Sequence, residues 1–218
     1  MKFFNTAGPC VLDRHYMLPA TDRLKEENVL RLIEKNQYFV LHAPRQTGKT
    51  TAMVELAKEL TTSGNYVAAM VSMEVGAGYP DDLGQAEKAI LSHWRRTLQF
   101  DLPPELQPPP WPDAANGEQI SAALTAWANS STKPLVLFLD EIDALQDDVL
   151  ISVLRQLRGG YRTRPSHFPA SLALIGLRDV RDYKIKSGGS LRLGSPSPFN
   201  IAVRAITLRN FSDKETKQ

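Results

Sequence analysis

Short apolar runs alternate with segments of helical periodicity along most of this chain. Five apolar runs predict strands, at residues 38–42, 66–73, 135–139, 171–177 and 205–208. Apolar residues three and four positions apart predict helices between them, at residues 22–35, 50–60, 86–98, 120–128 and 147–157. This alternation predicts an α/β domain, a three-layer α/β/α sandwich with a mainly parallel five-stranded sheet.

Two segments interrupt the alternation. Six prolines between residues 102 and 112 exclude a regular helix and indicate an extended surface connection. Residues 1–20 show little periodicity and contain Gly8-Pro9 and Leu18-Pro19, which favours an N-terminal arm. We therefore expect an arm over residues 1–20, one domain over 21–211 and a polar tail over 212–218.

Composition indicates the size of the domain and the cellular compartment, but it does not indicate the function. A chain of 218 residues with 42% hydrophobic content can bury the core of one domain, and a net charge of +2 indicates no particular partner. Cys10 is the only cysteine, so an intrachain disulfide is excluded, which suits a reducing cytoplasm. Without a signal peptide or an apolar run long enough to cross a membrane, we expect a cytoplasmic protein with no membrane partner.

A phosphate-binding loop is predicted between the first strand and the helix that follows. The segment 43–50 matches the relaxed phosphate-loop motif, with Ala43 at the position of its usual first glycine. Backbone N–H groups of such a loop surround a phosphate, and the helix adds the positive end of its dipole. The residues expected to contact nucleotide are Ala43, Pro44, Arg45, Gln46, Thr47, Gly48, Lys49, Thr50 and Thr51.

Individual residues of this loop suit separate tasks. Gly48 permits close approach of the backbone, Lys49 can reach the β- and γ-phosphates, and the Thr50 hydroxyl can ligate Mg²⁺. Ala43 leaves phosphate binding intact only if its position needs no positive φ, which is the expectation.

The third predicted strand ends in two carboxylates, Asp140 and Glu141. Burying two carboxylate charges without a metal or a functional role costs on the order of several kcal/mol. In phosphate-loop ATPases the first acid holds Mg²⁺ and the next polarises the attacking water, which predicts a metal role for Asp140 and a catalytic one for Glu141. Asp143 extends the acidic cluster, and we interpret it as a solvated helix cap.

With both motifs placed, the chain resembles the AAA-like group of P-loop ATPases, close to the AAA+ and STAND signalling ATPases. The resemblance rests on residues 4–10, 15–16, 43–51, 137–143 and 175–179. It implies a P-loop NTPase fold with the acidic-pair strand beside the phosphate-loop strand and ATP with Mg²⁺ at their carboxyl ends. The absence of an Asn-Lys-x-Asp guanine motif supports ATP over GTP.

The resemblance also implies roles for residues outside the two motifs. Arg178 follows the fourth strand, where such ATPases place a sensor side chain, and it is either a catalytic group near the γ-phosphate or a salt-bridge partner of Asp179 or Asp182. Arg23 is similar to the arginine near the start of STAND-type domains. His15 and Tyr16 either flank the adenine or pack within the arm.

The biological role stays open at this point. The family pattern continues into a helical lid, and we expect this chain to stop before it, so ATP binding is expected and turnover by these residues alone is left open. The candidates are a motor, a nucleotide switch in signalling or defence, a signalling or defence scaffold that binds ATP with little turnover, and a DNA-associated ATPase of the origin-recognition or transposition type. The basic surplus over residues 155–192 could contact nucleic acid, supply an arginine finger to a neighbouring subunit of a homo-oligomer, or form a solvated surface.

Overall fold

A five-stranded parallel sheet forms the centre of the protein. The computed structural model describes residues 3, 13–14, 20–177 and 201–210. The strands are β1 (Phe39–His42), β2 (Val67–Ser72), β3 (Leu135–Asp140), β4 (Ser171–Gly176) and β5 (Arg204–Thr207). They lie in the order β2-β3-β4-β1-β5, and every pairing between them is parallel. The predicted fold class and all five predicted strands are confirmed.

Six α-helices are present in the described part of the chain. They are α1 (Asp22–Glu26), α2 (Val29–Glu34), α3 (Lys49–Thr62), α4 (Leu83–Asp101), α5 (Gln119–Ser130) and α6 (Asp147–Gly160). Short 3₁₀ turns occur at Glu74–Gly78, Pro104–Leu106, Ile142–Ala144 and Tyr161–Thr163. No helix of the described segments is long and apolar enough to cross a bilayer.

Two apolar cores lie on opposite faces of the sheet, because successive strand residues point to opposite sides. Leu137 and Leu139 of β3 pack in one core with α4, α5 and α6. Val136 and Phe138 of the same strand pack in the other core with α1, α2 and α3. The helices therefore cover both faces, as a three-layer sandwich requires.

The helix predicted over residues 22–35 is wrong in one respect, since it is two helices. Asn28 separates α1 from α2 with a left-handed backbone, at φ 57° and ψ 34°. Asparagine tolerates this conformation better than most residues, and it breaks the helical hydrogen-bond ladder. The chain turns there while Leu24, Val29 and Ile33 remain buried in one core.

The strand order also corrects an expectation. The acidic-pair strand β3 does not lie beside the phosphate-loop strand β1, because β4 pairs with both and separates them. All six residues of β4 are buried, so this strand suits a central position. The gap between β1 and β3 is bridged at the carboxyl edge by the residues that follow β1.

Side chains of α3 and α4 cap part of the outer edge of β2. The N–H of Ala68 donates to Thr61 Oγ1, and that hydroxyl donates to the Ala68 carbonyl, both at 3.0 Å. The Ser72 carbonyl accepts from the indole N–H of Trp94 at 2.9 Å. Two of the outward-facing residues of this edge strand therefore have partners.

A buried polar network joins the helices of one layer. Glu87 of α4 has no exposed surface, and its carboxylate accepts from the Gly117 N–H at 2.7 Å and from the Gln156 amide at 2.6 Å. The Gln156 amide oxygen in turn accepts from the Ser121 N–H at 3.0 Å. The network links α4, α5, α6 and the turn at Gly117.

The proline-rich connection lies against the same layer, extended except for one 3₁₀ turn, as predicted. Trp111 packs edge to face on Trp127, with ring centroids 6.3 Å apart. The guanidinium of Arg95 lies 5.0 Å from the centroid of Trp111 and donates to the Pro109 carbonyl at 2.6 Å. These contacts hold the segment on α4 and α5.

Candidate functional site

The loop between β1 and α3 has the geometry of an anion-binding turn. Gly48 caps α3 with φ 78°, and Gln46 is also left-handed with φ 61°. The Thr47 hydroxyl donates to the Pro44 carbonyl at 3.0 Å, which closes the turn. The N-terminus of the 14-residue helix α3 therefore points its free N–H groups toward this loop.

Ala43, which stands where the motif usually has glycine, lies at a position that needs no positive φ. The described non-glycine residues with positive φ are Asn28, Asn36, Gln46 and Glu141, so Ala43 has an ordinary backbone conformation. Its side chain is buried in the core beneath the loop. A Cβ at this position is compatible with the phosphate-loop fold.

Lys49, the first residue of α3, folds back over the loop. Its Nζ donates to the carbonyls of Ala43 at 2.6 Å and Pro44 at 2.8 Å. Burial lowers the pKa of Lys49, and the nearby carboxylates of Asp140 and Asp143 oppose that shift. A phosphate at the loop offers this half-buried ammonium a charged acceptor in place of two neutral carbonyls.

Thr50 and Asp140 come together across the gap between β1 and β3. The Thr50 hydroxyl donates to Asp140 Oδ2 at 3.0 Å, and Asp140 Oδ1 accepts from the Glu141 N–H at 3.0 Å. Asp140 is 7% exposed, and burial raises its pKa although both hydrogen bonds and Lys49 favour the charged form. The two residues predicted to hold a metal are therefore in direct contact.

Glu141 turns away from the strand and toward the neighbouring β2. Its backbone is left-handed, at φ 56° and ψ 36°, and its side chain is exposed. Glu141 Oε2 accepts from the Ser72 hydroxyl at 2.8 Å. Sequence reasoning missed Ser72, although its place at the end of a predicted strand was a usable signal, because parallel strands end at one edge.

The interpretation of Asp143 as a solvated helix cap is wrong. Asp143 is half-buried in the 3₁₀ turn after β3, and its Oδ2 accepts from the N–H of Leu177 at 3.1 Å. A Cβ on Gly176 would lie 3.1 Å from Asp143 Oδ1. The side chain therefore links the end of β3 to the end of β4, on the same side as Lys49.

Arg23 lies against the phosphate loop, a position that the sequence did not reveal. The side chain is 1% exposed, and its Nη1 donates to the Thr47 carbonyl at 2.8 Å and the Arg209 carbonyl at 2.9 Å. These contacts join residues 24 and 186 positions apart, which no local pattern can indicate.

Several other predicted residues lie elsewhere. Arg178, His15 and Tyr16 lie outside the described residues, as does the basic segment from Arg178 onward. The basic surplus over residues 155–192 is described only up to residue 177, and there the Arg164 guanidinium stacks 3.3 Å from the Tyr161 ring centroid and near Tyr38. Arg164 therefore serves packing near the start of β1.

The donor set at the edge of the sheet suits Mg²⁺ rather than a metal held by protein alone. The described residues contain no group of three or more His, Cys, Asp or Glu side chains able to hold a metal ion. Mg²⁺ commonly uses one or two protein oxygens together with phosphate oxygens and water. The Thr50 hydroxyl and the Asp140 carboxylate fit that pattern.

Comparison with known structures supports the fold. Cdc6p from Pyrobaculum aerophilum is similar with a TM-score of 0.54 and 14% identity, over 91% of this chain and 48% of that one. A Walker-type ATPase of Pyrococcus abyssi gives a TM-score of 0.55 and 13% identity, over 89% of this chain and 55% of that one. The chain spans about half the length of these two proteins.

Comparison at the level of sequence identifies the family. No curated protein sequence matches the chain. The profile of the "ATPase family associated with various cellular activities (AAA)" matches residues 39–164, more than half of the chain, from β1 through the phosphate loop and the acidic strand end. This match shows that the chain belongs to the AAA family of ATPases.

Proposed function

We propose that this domain binds ATP with Mg²⁺ at the carboxyl edge of its sheet and hydrolyses it. The observation that carries the proposal is the 3.0 Å contact between the Thr50 hydroxyl and Asp140, beside Lys49 and the N-terminus of α3. A helix N-terminus, an ammonium group and a hydroxyl–carboxylate pair meet at one point. These are the groups that a magnesium-bound triphosphate needs.

Binding in this proposal falls to the loop of residues 43–51. Its backbone N–H groups and the dipole of α3 bind the phosphate charge, and Lys49 moves from the Ala43 and Pro44 carbonyls to a phosphate oxygen. Thr50 and Asp140 would hold Mg²⁺, which would neutralise charge on the phosphate oxygens. The negative charge of the nucleotide also compensates the burial of Lys49.

Hydrolysis falls to Glu141. Its exposed carboxylate lies one residue beyond Asp140, which suits a general base that takes a proton from water. The Ser72 hydroxyl, at 2.8 Å, competes for that carboxylate. Arg178 is proposed as the charge-stabilising group on the strength of its sequence position alone.

The test of binding is calorimetry with ATP and ADP in the presence of Mg²⁺. We expect the 218-residue chain to bind both nucleotides. Lys49→Ala should lose about 30- to 150-fold in affinity, since a charge-assisted contact to phosphate contributes on the order of 2–3 kcal/mol. Lys58→Ala, an exposed lysine on the same helix, is the matched control. Wild-type protein that is folded but binds neither nucleotide would contradict the proposal.

The role of the nucleotide is a second question, to be answered by turnover. Slow hydrolysis with retained product supports a switch, whereas rapid steady-state turnover supports a motor. The test is a comparison of single-turnover and steady-state rates for ATP. Duplex DNA added at two salt concentrations checks the DNA-associated alternative, because stimulation through phosphate contacts falls steeply with salt.

A further inference from the structure

The guanidinium of Arg23 contacts the phosphate loop through a backbone carbonyl. The residue belongs to α1, is 1% exposed, and donates to the carbonyl of Thr47 at 2.8 Å. Its Nη2 lies 3.1 Å from the place of a Cβ on Gly48, so a side chain at that position would press on the guanidinium. Gly48 is therefore restricted to glycine by its φ of 78° and by Arg23 together.

Peptide geometry gives this contact a consequence for anion binding. The Thr47 carbonyl and the Gly48 N–H belong to one planar trans peptide, so they point in opposite directions. Because Arg23 holds the carbonyl, the Gly48 N–H points away from the guanidinium. A cation on the carbonyl also polarises the peptide, which strengthens that N–H as a donor.

The same nitrogen joins the loop to the chain after β5. Arg23 Nη1 also donates to the carbonyl of Arg209, at 2.9 Å. The Arg209 side chain returns to α1, where its Nε and Nη2 donate to Glu26 at 2.9 Å and 2.7 Å. The Leu208 N–H donates to the His42 carbonyl at the end of β1. Residues 208–210 are thus attached to the strand and the helix that flank the loop.

We propose that Arg23 is a positioning residue of the nucleotide site. It orients the Gly48 N–H toward a bound phosphate from the far side of the peptide, and it couples the conformation of the loop to residues 208–210. The inference rests on the proposed nucleotide binding and adds to it a route by which phosphate occupancy reaches the chain beyond the sheet.

Conservative variants of Arg23 test the positioning role. Calorimetry with ADP and Mg²⁺ on the full chain compares wild type with Arg23→Lys and Arg23→Gln. We expect affinity to fall about 10-fold in Arg23→Lys, because the lysine side chain is one bond too short to place its ammonium where Nη1 contacts both carbonyls. The fall should be larger in Arg23→Gln, whose side chain is shorter still and carries no charge. Glu26→Gln is the control, because it removes the Arg209 ion pair while leaving the Thr47 contact. It should lower thermal stability and keep the affinity within about twofold.

Hydrogen exchange tests the coupling in the unaltered protein. ADP should slow exchange in peptides covering residues 44–51 and 205–210 of the wild type, with α5 as the internal reference. In Arg23→Lys only the first effect should remain. This measurement holds even if the substitutions prevent folding.

The outcomes separate the two proposals. Failure of the folded wild type to bind ADP or ATP overturns nucleotide binding itself. Wild-type binding with equal affinity in Arg23→Lys overturns the positioning role, and no ADP effect at residues 205–210 overturns the coupling.

Discussion

Glu87 and Asp140 are both buried carboxylates, and the difference between their surroundings separates support from chemistry. The two oxygens of Glu87 are held by neutral donors, the Gly117 N–H and the Gln156 amide, inside a layer of helices. Asp140 also accepts two hydrogen bonds, but it lies at the carboxyl end of β3, beside the ammonium of Lys49. Burial raises its pKa, so the folded chain gains nothing from its charge.

Burial of an acid alone therefore does not identify a site. Glu87 joins three helices and a turn, so its hydrogen bonds contribute to stability. The charged form of Asp140 destabilises the fold, and a bound cation would compensate that charge. The comparison predicts that substitutions at the helical network change stability and that those at the sheet edge change function.

The largest expected effect tests the functional side of the comparison. Glu141→Gln removes the base next to Asp140 while keeping its shape, so ATP hydrolysis should fall at least about 100-fold with nucleotide affinity nearly unchanged. Single-turnover assays and calorimetry measure the two quantities. Glu74→Gln, an exposed acid at the same edge, should leave the rate unaltered. A Glu141→Gln enzyme as fast as wild type would remove Glu141 from the mechanism.

The structural side is tested at Glu87. Glu87→Ala leaves the Gly117 N–H without its acceptor and the Gln156 amide with only its 3.4 Å contact to the Ser152 hydroxyl, which should cost about 3 kcal/mol in the free energy of unfolding. Chemical denaturation measures the change, with exposed Glu118→Ala as control. Nucleotide affinity of the folded fraction should stay the same. A loss of affinity without a loss of stability would reverse the assignment.

Asp140→Asn should affect function and stability in opposite directions. Because the pKa of Asp140 is raised in the folded chain, the unfolded chain releases its proton first as the pH rises through the ordinary value of 3.8. Stability is therefore lost with rising pH in that window, and the charge opposes folding at pH 7. Asparagine carries no charge at any pH, so it should raise the melting temperature at pH 7.

The functional part of this prediction concerns Mg²⁺. Asp140→Asn should reduce, by about 10-fold, the increase in nucleotide affinity that Mg²⁺ causes. Calorimetry with and without Mg²⁺ measures it, and thermal scans at pH 7 and below pH 4 should show the stability gain shrinking in acid. Asp113→Asn, an exposed aspartate, should alter neither quantity. A lower melting temperature at pH 7 would show that the Asp140 charge stabilises the fold.

The smallest effect is expected at Ser72. Ser72→Ala removes the hydroxyl that donates to Glu141 at 2.8 Å, so the carboxylate becomes a better base and turnover should rise about two- to fivefold. Steady-state assays measure it, and Ser63→Ala at the end of α3 is the control. A fall in the rate would show that Ser72 orients Glu141 productively.

The sequence predicted what depends on local pattern. The five strands, the phosphate loop and the Asp140–Glu141 strand end all follow from the order of residues within short segments. The lateral order of the strands does not, because the connections are long enough for β3 to reach either side of β4. The break at Asn28 was missed, since the apolar spacing continues through it.

Contacts between side chains far apart in the sequence could not be predicted from the hydrophobic pattern either. Arg23 reaches Thr47 and Arg209, and Glu87 reaches Gln156, through contacts that exist only after the layers pack. Such contacts leave no periodic signal, because one residue of the pair says nothing about the position of the other. They are found by asking which groups satisfy each buried donor and acceptor.

The partly capped edge of β2 has a consequence for aggregation of the protein at high concentration. An open strand edge is a template on which a second molecule can add a strand, and repeated addition leads to aggregation. Here the Thr61 hydroxyl and the Trp94 indole already occupy groups that an incoming strand would need. Strand addition at this side of the sheet is thus blocked at Ala68 and at the Ser72 carbonyl by side chains of α3 and α4.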